Sequence, residues 1–298
     1  MLSLNCQTRP KYPRRARRRF PALGVSLALI LTVATAAIPI VWAQGATASS
    51  EDEERPLSAT IVTAPAADEE EPVPAPKPDV REPDEFGGDL PELEPTEVDY
   101  EENWDGAQAT FINLETGEIT GTATQRFARP ALSLIKLYLA NYVLDHGKPQ
   151  EATSALEMVR DSSDRTAEKL FRKYPDAIDH VAEEYGLSST KSGDRWGVSR
   201  TSTYDVAMFI AALRQDNPAH PILLAMATAD SVAADGYAQD FGTVELDGEI
   251  GSKWAWSDAR DLHASVSYGD GWVAAAAVNG TADELTEFVD AQLAGKMD

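Results

Sequence analysis

The segment that most constrains the fold is the apolar stretch that follows Pro130. Leu134, Leu137, Tyr138 and Leu144 recur at helical spacing, and most of the residues between them are also apolar. A helix that is apolar on almost every side has to be enclosed by other elements. We therefore expect a domain built around this helix. Pro130 is expected in its first turn, where a missing backbone donor is tolerated.

The first turns of this helix contain Ser133 and Lys136. Residues three apart lie on one helix face, so the hydroxyl and the amine are expected to be neighbours. A partly desolvated lysine loses its proton more easily and can then take one from a serine hydroxyl. The pair is either a nucleophile with its base or an ordinary serine beside a lysine that extends to solvent. A second S-x-x-K, Ser188 and Lys191, lies in a polar loop and is interpreted as a chance occurrence.

Charge is distributed unevenly along the 298 residues, whose formal net charge is −23. Residues 1–43 carry +7, residues 44–103 carry −16 and the remainder carries −14. A polyanionic exterior argues against nucleic acid as a partner. Cys6 is the single cysteine, which excludes an internal disulfide, and the four histidines have no ligand spacing. We therefore expect neither a metal nor a cofactor.

The chain begins with two segments that are typical of a membrane anchor. Residues 1–22 are basic, and residues 23–43 form an uncharged apolar run that is long enough to span a bilayer. Because arginines before a span remain in the cytoplasm, everything after Ala43 is expected outside. The prediction is a single-pass protein of the cell membrane. Residues 41–43 also fit a signal-peptide cleavage site, and cleavage near Ala43 would give a secreted protein.

Residues 44–103 are predicted to be a disordered linker. Acidic residues and proline dominate this segment, which cannot bury enough apolar surface to offset the entropy of ordering it. Charge repulsion keeps such a chain extended, so it would serve as a spacer between the membrane and a folded domain. The folded domain is therefore assigned to residues 104–298.

The periodicity of this domain predicts an α+β fold. Two strands, 107–114 and 119–126, come first, and strands at 249–256, 262–268 and 271–279 come late, before a final helix at 282–293. Between them lies a helical block with helices, after the one at Ser133, at 150–160, 166–174, 176–185, 203–214 and 221–228. We expect both ends of the chain to build one antiparallel sheet, with the helical block inserted and the last helix packed on it.

Three short motifs, in this order, resemble those of the serine penicillin-recognising enzymes, which include class A β-lactamases and D,D-peptidase penicillin-binding proteins. Ser133 and Lys136 match the first, S-x-x-K. Ser163-Asp164-Arg165 matches the second, S-D-N, except at its last residue. Lys253-Trp254-Ala255 keeps only the lysine of the third, K-[TS]-G. The resemblance covers about residues 105–293 and implies the β-lactamase/transpeptidase-like fold.

The resemblance also implies roles for these residues. Ser133 would be the nucleophile, Lys136 its proton acceptor, Ser163 the hydroxyl that passes a proton to the leaving nitrogen, and Lys253 the cation that binds a substrate carboxylate. The backbone N–H groups of Ser133 and Trp256 would form the oxyanion hole. From the residues alone, Ser163 also fits a helix cap and Lys253 a solvated strand lysine, and both alternatives stay open.

Asp164, Arg165, Trp254 and Trp256 are predicted to border the substrate. Arg165 would bind an acidic substrate, or pair with Asp164 or Glu168 and fill the pocket. Trp254 would narrow the site, unless it packs in the core as tryptophans in strands usually do.

The remaining departure from the family concerns deacylation. Gly197 stands where the resemblance to class A β-lactamases leads us to expect a glutamate that hydrolyses the acyl-enzyme, so efficient β-lactam turnover is not expected. Three functions fit the sequence. The first is a serine hydrolase or acyltransferase that acts on a peptidoglycan-like peptide or another acyl substrate. The others are an inactive domain that binds an envelope ligand or partner, and a structural envelope protein without a pocket.

Overall fold

A computed structural model of the protein describes residue 91 and residues 93–296. The basic segment 1–22, the predicted anchor 23–43 and most of the predicted linker 44–103 lie outside the described residues. Within the described part, no helix is both long enough and apolar enough to cross a membrane.

Among residues 93–296, seven strands form two sheets. The strands are β1 (Gln108–Asn113), β2 (Ile119–Gly121), β3 (Arg129–Pro130), β4 (Arg200–Thr201), β5 (Glu249–Trp256), β6 (His263–Gly269) and β7 (Trp272–Val278). The main sheet is antiparallel throughout and has the order β2-β1-β7-β6-β5, while β3 and β4 pair separately. The two ends of the domain thus build one sheet, as the sequence predicted, and β5 forms one of its edges.

The described part of the chain also contains seven α-helices, which pack on the sheet and on one another. They are α1 (Ile135–His146), α2 (Pro149–Asp161), α3 (Asp164–Lys173), α4 (Ala177–Tyr185), α5 (Thr203–Asp216), α6 (Pro221–Ala227) and α7 (Ala282–Leu293). Their ends follow the local sequence. Ser163, Ser202 and Thr281 accept hydrogen bonds from the first turns of α3, α5 and α7, and Gly186 ends α4 with a left-handed φ of 65°.

The sheet separates two apolar clusters. The larger cluster packs α1, α5 and α6 against one face, and Ala255, Val266 and Val273 contribute to it from the strands. The smaller cluster lies on the other face, between α7 and strand residues that include Phe111 and Trp254. Helix α1 is enclosed on nearly all sides, which confirms the prediction from its apolar sequence.

Two local predictions are wrong. Pro130 is not in the first turn of the helix, because it lies in β3 opposite Arg200 and the chain then forms a 3-10 turn at Leu132–Leu134 before α1. The second strand of the first hairpin ends at Gly121 rather than at residue 126. The chain turns directly after it, where the Gln125 backbone N–H donates to the Thr122 carbonyl oxygen at 3.1 Å.

The end of the predicted linker packs on the domain. Thr96 donates its backbone N–H to the Tyr204 hydroxyl at 3.3 Å, and Glu102 forms an ion pair with Arg200 at 2.7 Å. Leu93 packs against the larger apolar cluster. The predicted domain start at residue 104 is therefore too late, because residues 93–103 already contact the domain.

A buried carboxylate organises the loop 187–202, which connects α4 to α5. Asp205 accepts hydrogen bonds from the Ser189 backbone N–H and the Thr190 hydroxyl, both at 2.8 Å. The Thr190 hydroxyl also contacts that of Thr201 at 2.9 Å, and Thr201 contacts the Tyr138 hydroxyl at 2.8 Å. This network joins the loop to α1, and burial raises the pKa of Asp205 to about 6.

The raised pKa of Asp205 predicts a distinct pH dependence of stability. The unfolded carboxyl titrates near 3.8, so between about pH 4 and pH 6 the folded state binds the proton more tightly and the free energy of unfolding falls as pH rises. Asp205→Asn removes this loss, which amounts to at most about 3 kcal/mol at ~1.4 kcal/mol per pKa unit. Urea unfolding of both proteins across this range measures it, and parallel pH curves would contradict the assignment.

Candidate active site

Ser133 lies in the 3-10 turn that links β3 to α1. Its side chain is 6% exposed, and the preceding residue, Leu132, has a φ of 50°. A left-handed backbone is uncommon for a residue with a bulky side chain and is retained only where the surrounding structure imposes it. The strained turn fixes the direction in which the Ser133 hydroxyl points.

Lys136 lies one turn later on the same side, and its side chain is completely buried. Its Nζ donates to Ser133 Oγ at 2.9 Å, to the Ser162 carbonyl oxygen at 2.5 Å and to an Asp164 carboxylate oxygen at 2.6 Å. These contacts use the three donors of an ammonium group. Burial lowers the pKa of Lys136, and the Asp164 carboxylate acts in the opposite direction.

Ser162 is the residue that the sequence analysis missed. It ends α2 with a left-handed φ of 55°, and this conformation turns both its carbonyl oxygen and its hydroxyl towards Lys136, the hydroxyl at 3.3 Å. The sequence did contain a signal for it. Helices often end at a glycine in the left-handed conformation, and no glycine lies between α2 and α3, so one of the residues there has to adopt that conformation instead.

Ser163, predicted as the proton-relay hydroxyl, instead caps α3. Its Oγ accepts hydrogen bonds from the backbone N–H of Thr166 at 3.4 Å and from the Thr166 hydroxyl at 3.2 Å. The stretch that faces Lys136 is therefore Ser162-Ser163-Asp164, one residue earlier than the motif read from the sequence. In this register Asp164, not Arg165, stands at the third position.

Arg165 does not enter the site. Its side chain is exposed on α3, and it is absent from the residues that line the cavity. Neither predicted ion pair of Arg165 forms, since Asp164 pairs with Lys136 and Glu168 pairs with Arg172 at 2.7 Å. The helical geometry explains this, because the residue after Asp164 points about 100° away from it around the helix axis.

Lys253 lies on β5, on the sheet face that packs against the Ser133 turn. The side chain is completely buried, which contradicts the alternative of a solvated strand lysine. Its Nζ has no hydrogen-bond partner among the described residues. Burial, together with the charge of Lys136, lowers the pKa of Lys253 well below its usual value. The predicted contact of Lys253 with a substrate carboxylate remains a prediction.

The two tryptophans of β5 differ in their relation to the site. Trp254 is buried in the smaller apolar cluster, on the opposite face of the sheet, where its indole N–H donates to the Phe241 carbonyl oxygen at 2.9 Å. It does not narrow the site, and the core alternative applies. Trp256, at the end of the strand, borders the cavity, and its indole N–H donates to Asp235 at 3.0 Å.

A cavity of about 390 Å³ opens above Ser133. Its walls carry four carboxylates and one guanidinium among these residues: Leu132, Ser133, Asp164, Glu168, Arg195, Trp196, Gly197, Val198, Asp235, Trp256, Ser257 and Asp258. The hypothesis of a structural protein assumed no concave site, whereas this cavity lies next to Ser133. Ser133 and Trp256, predicted to supply the oxyanion hole, border the same cavity.

Backbone strain concentrates around this cavity. In the described part of the chain, the non-glycine residues with a left-handed φ are Leu132, Ser162 and Arg260. Leu132 lines the cavity, Ser162 contacts Lys136, and Arg260 donates to the Asp235 carboxylate at 3.1 Å. Strained residues of this kind cluster at functional sites, where they hold side chains in place before a ligand binds.

The loop 187–202 closes one side of the cavity. Trp196 lies over Lys136, with the ring centroid 4.8 Å from Nζ, and Gly197 follows it in the wall. The second S-x-x-K lies in the same loop but at the surface, where Ser188 accepts a hydrogen bond from the Val98 backbone N–H at 3.5 Å. Within the described residues, no three His, Cys, Asp or Glu side chains converge on a common metal position.

The fold can be compared with solved structures. A β-lactamase from Desulfarculus baarsii superposes with a TM-score of 0.53 and 12% identity over 65% of this chain and 92% of that one. A β-lactamase from Streptosporangium roseum superposes with a TM-score of 0.52 and 11% identity, over 65% of this chain and 94% of that one. The domain has the β-lactamase fold. This confirms the α+β, β-lactamase/transpeptidase-like architecture predicted from the order of elements and motifs.

Identity at this level establishes the fold alone. No protein-family model matches the chain, and no curated protein sequence matches it. Within the β-lactamase fold, the assignment of Ser133, Lys136, Ser162, Asp164 and Lys253 to one site rests on their geometry in this structure.

Because the Lys253 amine is buried without a hydrogen-bond partner, we predict that it lowers the stability of the fold. Lys253→Met keeps most of the packing and removes a buried amine without a partner, so the free energy of unfolding should rise by about 1–3 kcal/mol. The pKa of Lys253 in the folded protein lies below the value of 10.5 in the unfolded chain, so the wild type gains stability as pH rises towards 10.5. The difference in stability between Lys253→Met and the wild type should therefore narrow as pH rises.

Urea unfolding of both proteins at neutral and alkaline pH measures this gap. Lys169→Met is the control, because Lys169 is exposed on α3 and its replacement should change stability by no more than about 0.5 kcal/mol. A loss of stability in Lys253→Met would show that the amine has a stabilising partner.

Proposed function

We propose that the domain is a serine hydrolase or acyltransferase in which Ser133 is the nucleophile. The observation that carries this proposal is the 2.9 Å hydrogen bond between Lys136 Nζ and Ser133 Oγ, buried at the floor of the cavity. An acyl-transfer serine needs a neighbouring group that accepts its proton and a strained, fixed position next to bound substrate. The β-lactamase fold and the left-handed Leu132 support this assignment.

The proposed substrate is a cell-wall peptide or a related acyl compound. Strand β5 is an edge of the sheet, so an extended peptide can add to it through backbone hydrogen bonds while its acyl group reaches Ser133. Lys253 is buried and absent from the cavity wall, and the cation on that wall is Arg195. A substrate carboxylate would thus meet Arg195 first.

Turnover of β-lactams is proposed to be slow. Gly197 supplies no carboxylate to the cavity, and the indole of Trp196 covers Lys136 where water would approach from this loop. An acyl group on Ser133 would then persist, which favours transfer to a nucleophile other than water.

A second candidate function is an inactive domain that binds a cell-envelope ligand. The ion pair between Lys136 and Asp164 favours it, since a carboxylate at 2.6 Å stabilises the ammonium form and an ammonium cannot accept a proton. In that case the cavity would bind its ligand without forming a covalent bond.

For the remainder of the chain, the proposal is a single-pass anchor at residues 23–43 with the domain outside the cytoplasm. The charge asymmetry around this apolar run supports it, and residues 44 to about 92 would serve as the spacer. Nucleic acid is not proposed as a partner, because the chain is strongly acidic.

Covalent labelling tests the nucleophile. A fluorescent penicillin should label the wild type in a stable adduct and should not label Ser133→Ala, because the acyl group has no other attachment point. Ser188→Ala is the matched control, since it removes the serine of the second S-x-x-K and should label like the wild type. Peptide mass spectrometry of the adduct locates the modified residue.

The outcomes separate the two candidates. Labelling that persists in Ser133→Ala would contradict the assignment of the nucleophile. Absence of any adduct with the penicillin and with an activated ester, together with saturable binding of muropeptides, would favour the inactive binding domain.

The topology can be tested through Cys6, the single cysteine. In intact cells a membrane-impermeant maleimide should leave Cys6 unmodified and should label it after lysis. Glu287→Cys, which introduces a thiol at an exposed position of α7, should be labelled before lysis. Labelling of Cys6 in intact cells would contradict the proposed orientation, and a shortened protein without Cys6 would show cleavage.

A further inference from the structure

The contacts of Lys136 raise a chemical difficulty for the simplest form of the proposed reaction. Asp164 is the charged partner among the acceptors of its Nζ, and their separation of 2.6 Å is that of an ion pair. An ammonium held in this way donates to Ser133 Oγ and has no free lone pair for the Ser133 proton. Lys136 alone is thus not a sufficient base.

Asp164 offers the missing lone pair. Its carboxylate is 63% exposed and lines the same cavity as Ser133, whereas the Lys136 side chain is completely buried. Lys136 Nζ bridges the two, at 2.9 Å from Ser133 Oγ and 2.6 Å from Asp164 Oδ1. The other nearby amine, Lys253, has no hydrogen bond to any of these groups.

We infer that Asp164 is the proton acceptor of the reaction and that Lys136 relays the proton from Ser133 to it. This inference rests on the proposed function of Ser133 as nucleophile. It gives Asp164 a catalytic role that differs from the substrate contact predicted from the sequence, and it depends on the one-residue shift that places this carboxylate beside Lys136.

The step balances as follows. Ser133 Oγ forms a bond to the acyl carbon, and the carbonyl π electrons move to the carbonyl oxygen. Asp164 first takes one Nζ proton, which leaves Lys136 as a neutral amine. The lone pair of this amine then turns to Ser133 and takes the Oγ proton as Oγ attacks, so that Lys136 ends as an ammonium and Asp164 as a carboxylic acid. When the intermediate collapses, the bond to the leaving group breaks, and the proton returns along the same path to the leaving atom. The acyl-enzyme then contains the original ion pair.

Several charged groups surround Lys136 and Asp164 and influence proton transfer between them. The charged groups nearest to it are Asp161 at the end of α2, Lys253 on β5 and Asp235 in the loop before β5, and those across the cavity are Glu168, Arg195 and Asp258. Burial of Lys136 favours loss of its proton, which assists the relay.

Asp164→Asn tests the relay, because the amide oxygen can still accept from Lys136 but cannot take a proton. The second-order rate constant for acylation by the fluorescent penicillin should fall by at least ~10²-fold at neutral pH, the size of a general-base contribution. Acylation by the wild type should persist at about pH 6, where an ordinary lysine is fully protonated, while the variant, which has no carboxylate to take the proton, should be slow at the same pH.

Asp230→Asn is the matched control. It breaks another ion pair between an aspartate and a cation, Asp230 with Arg160 at 2.8 Å, outside the cavity, and should acylate like the wild type. Asp164→Asn keeps an oxygen that accepts from Lys136 and lies at an exposed position, so it should fold, and its melting curve verifies this.

Two other results would overturn the inference in different ways. If Asp164→Asn acylates as fast as the wild type or faster, with an unchanged pH profile, Asp164 is no base and at most restrains Lys136. If neither the wild type nor any variant is acylated, the proposed function itself fails, and with it the relay.

Discussion

The rest of the site depends on the need to satisfy one buried ammonium group. Lys136 Nζ is removed from water, and a buried charge without partners would be strongly destabilising. Its acceptors come from the turn before α1, from the end of α2 and from the start of α3. The amine thus fixes three parts of the chain relative to one another, and the left-handed conformation of Ser162 directs two of the acceptors to it.

The sheet supplies the opposite wall. Strand β5 packs one face against the Ser133 turn and buries Trp254 on the other, so Lys253 is buried on the same side of the sheet as Lys136 and senses its charge. Two such buried amines are unfavourable for folding, because desolvation and mutual repulsion act together. Such an arrangement is common where groups are positioned for chemistry rather than for stability.

The fold was predictable from the sequence because its signals are local. Serine and threonine caps mark the starts of α3, α5 and α7, alternation of serine with apolar residues marks β6, and a short apolar run marks β7. The prediction failed where the signal is non-local. The pairing of Pro130 with Arg200 joins residues far apart in the chain, and no local pattern indicates it. Strand β5 is covered on both faces, so the alternation of its residues could not tell whether Trp254 or Lys253 faced the helices. Ser133 and Lys136 were found because local chain geometry, a 3-10 turn that continues into α1, sets the distance between residues three apart.

Ser162 and Ser163 have the same side chain and opposite functions in the structure, one at the lysine and one at a helix cap. The backbone dihedral decides between them, and an alignment scored by residue type cannot. Between proteins that share this fold at identities near 12%, the stretch that contacts the lysine can therefore differ by one residue from the stretch that matches the most residue types. To judge whether a distantly similar protein retains its catalytic residues, one has to superpose the backbones around the residue equivalent to Lys136 rather than compare residue types in an alignment.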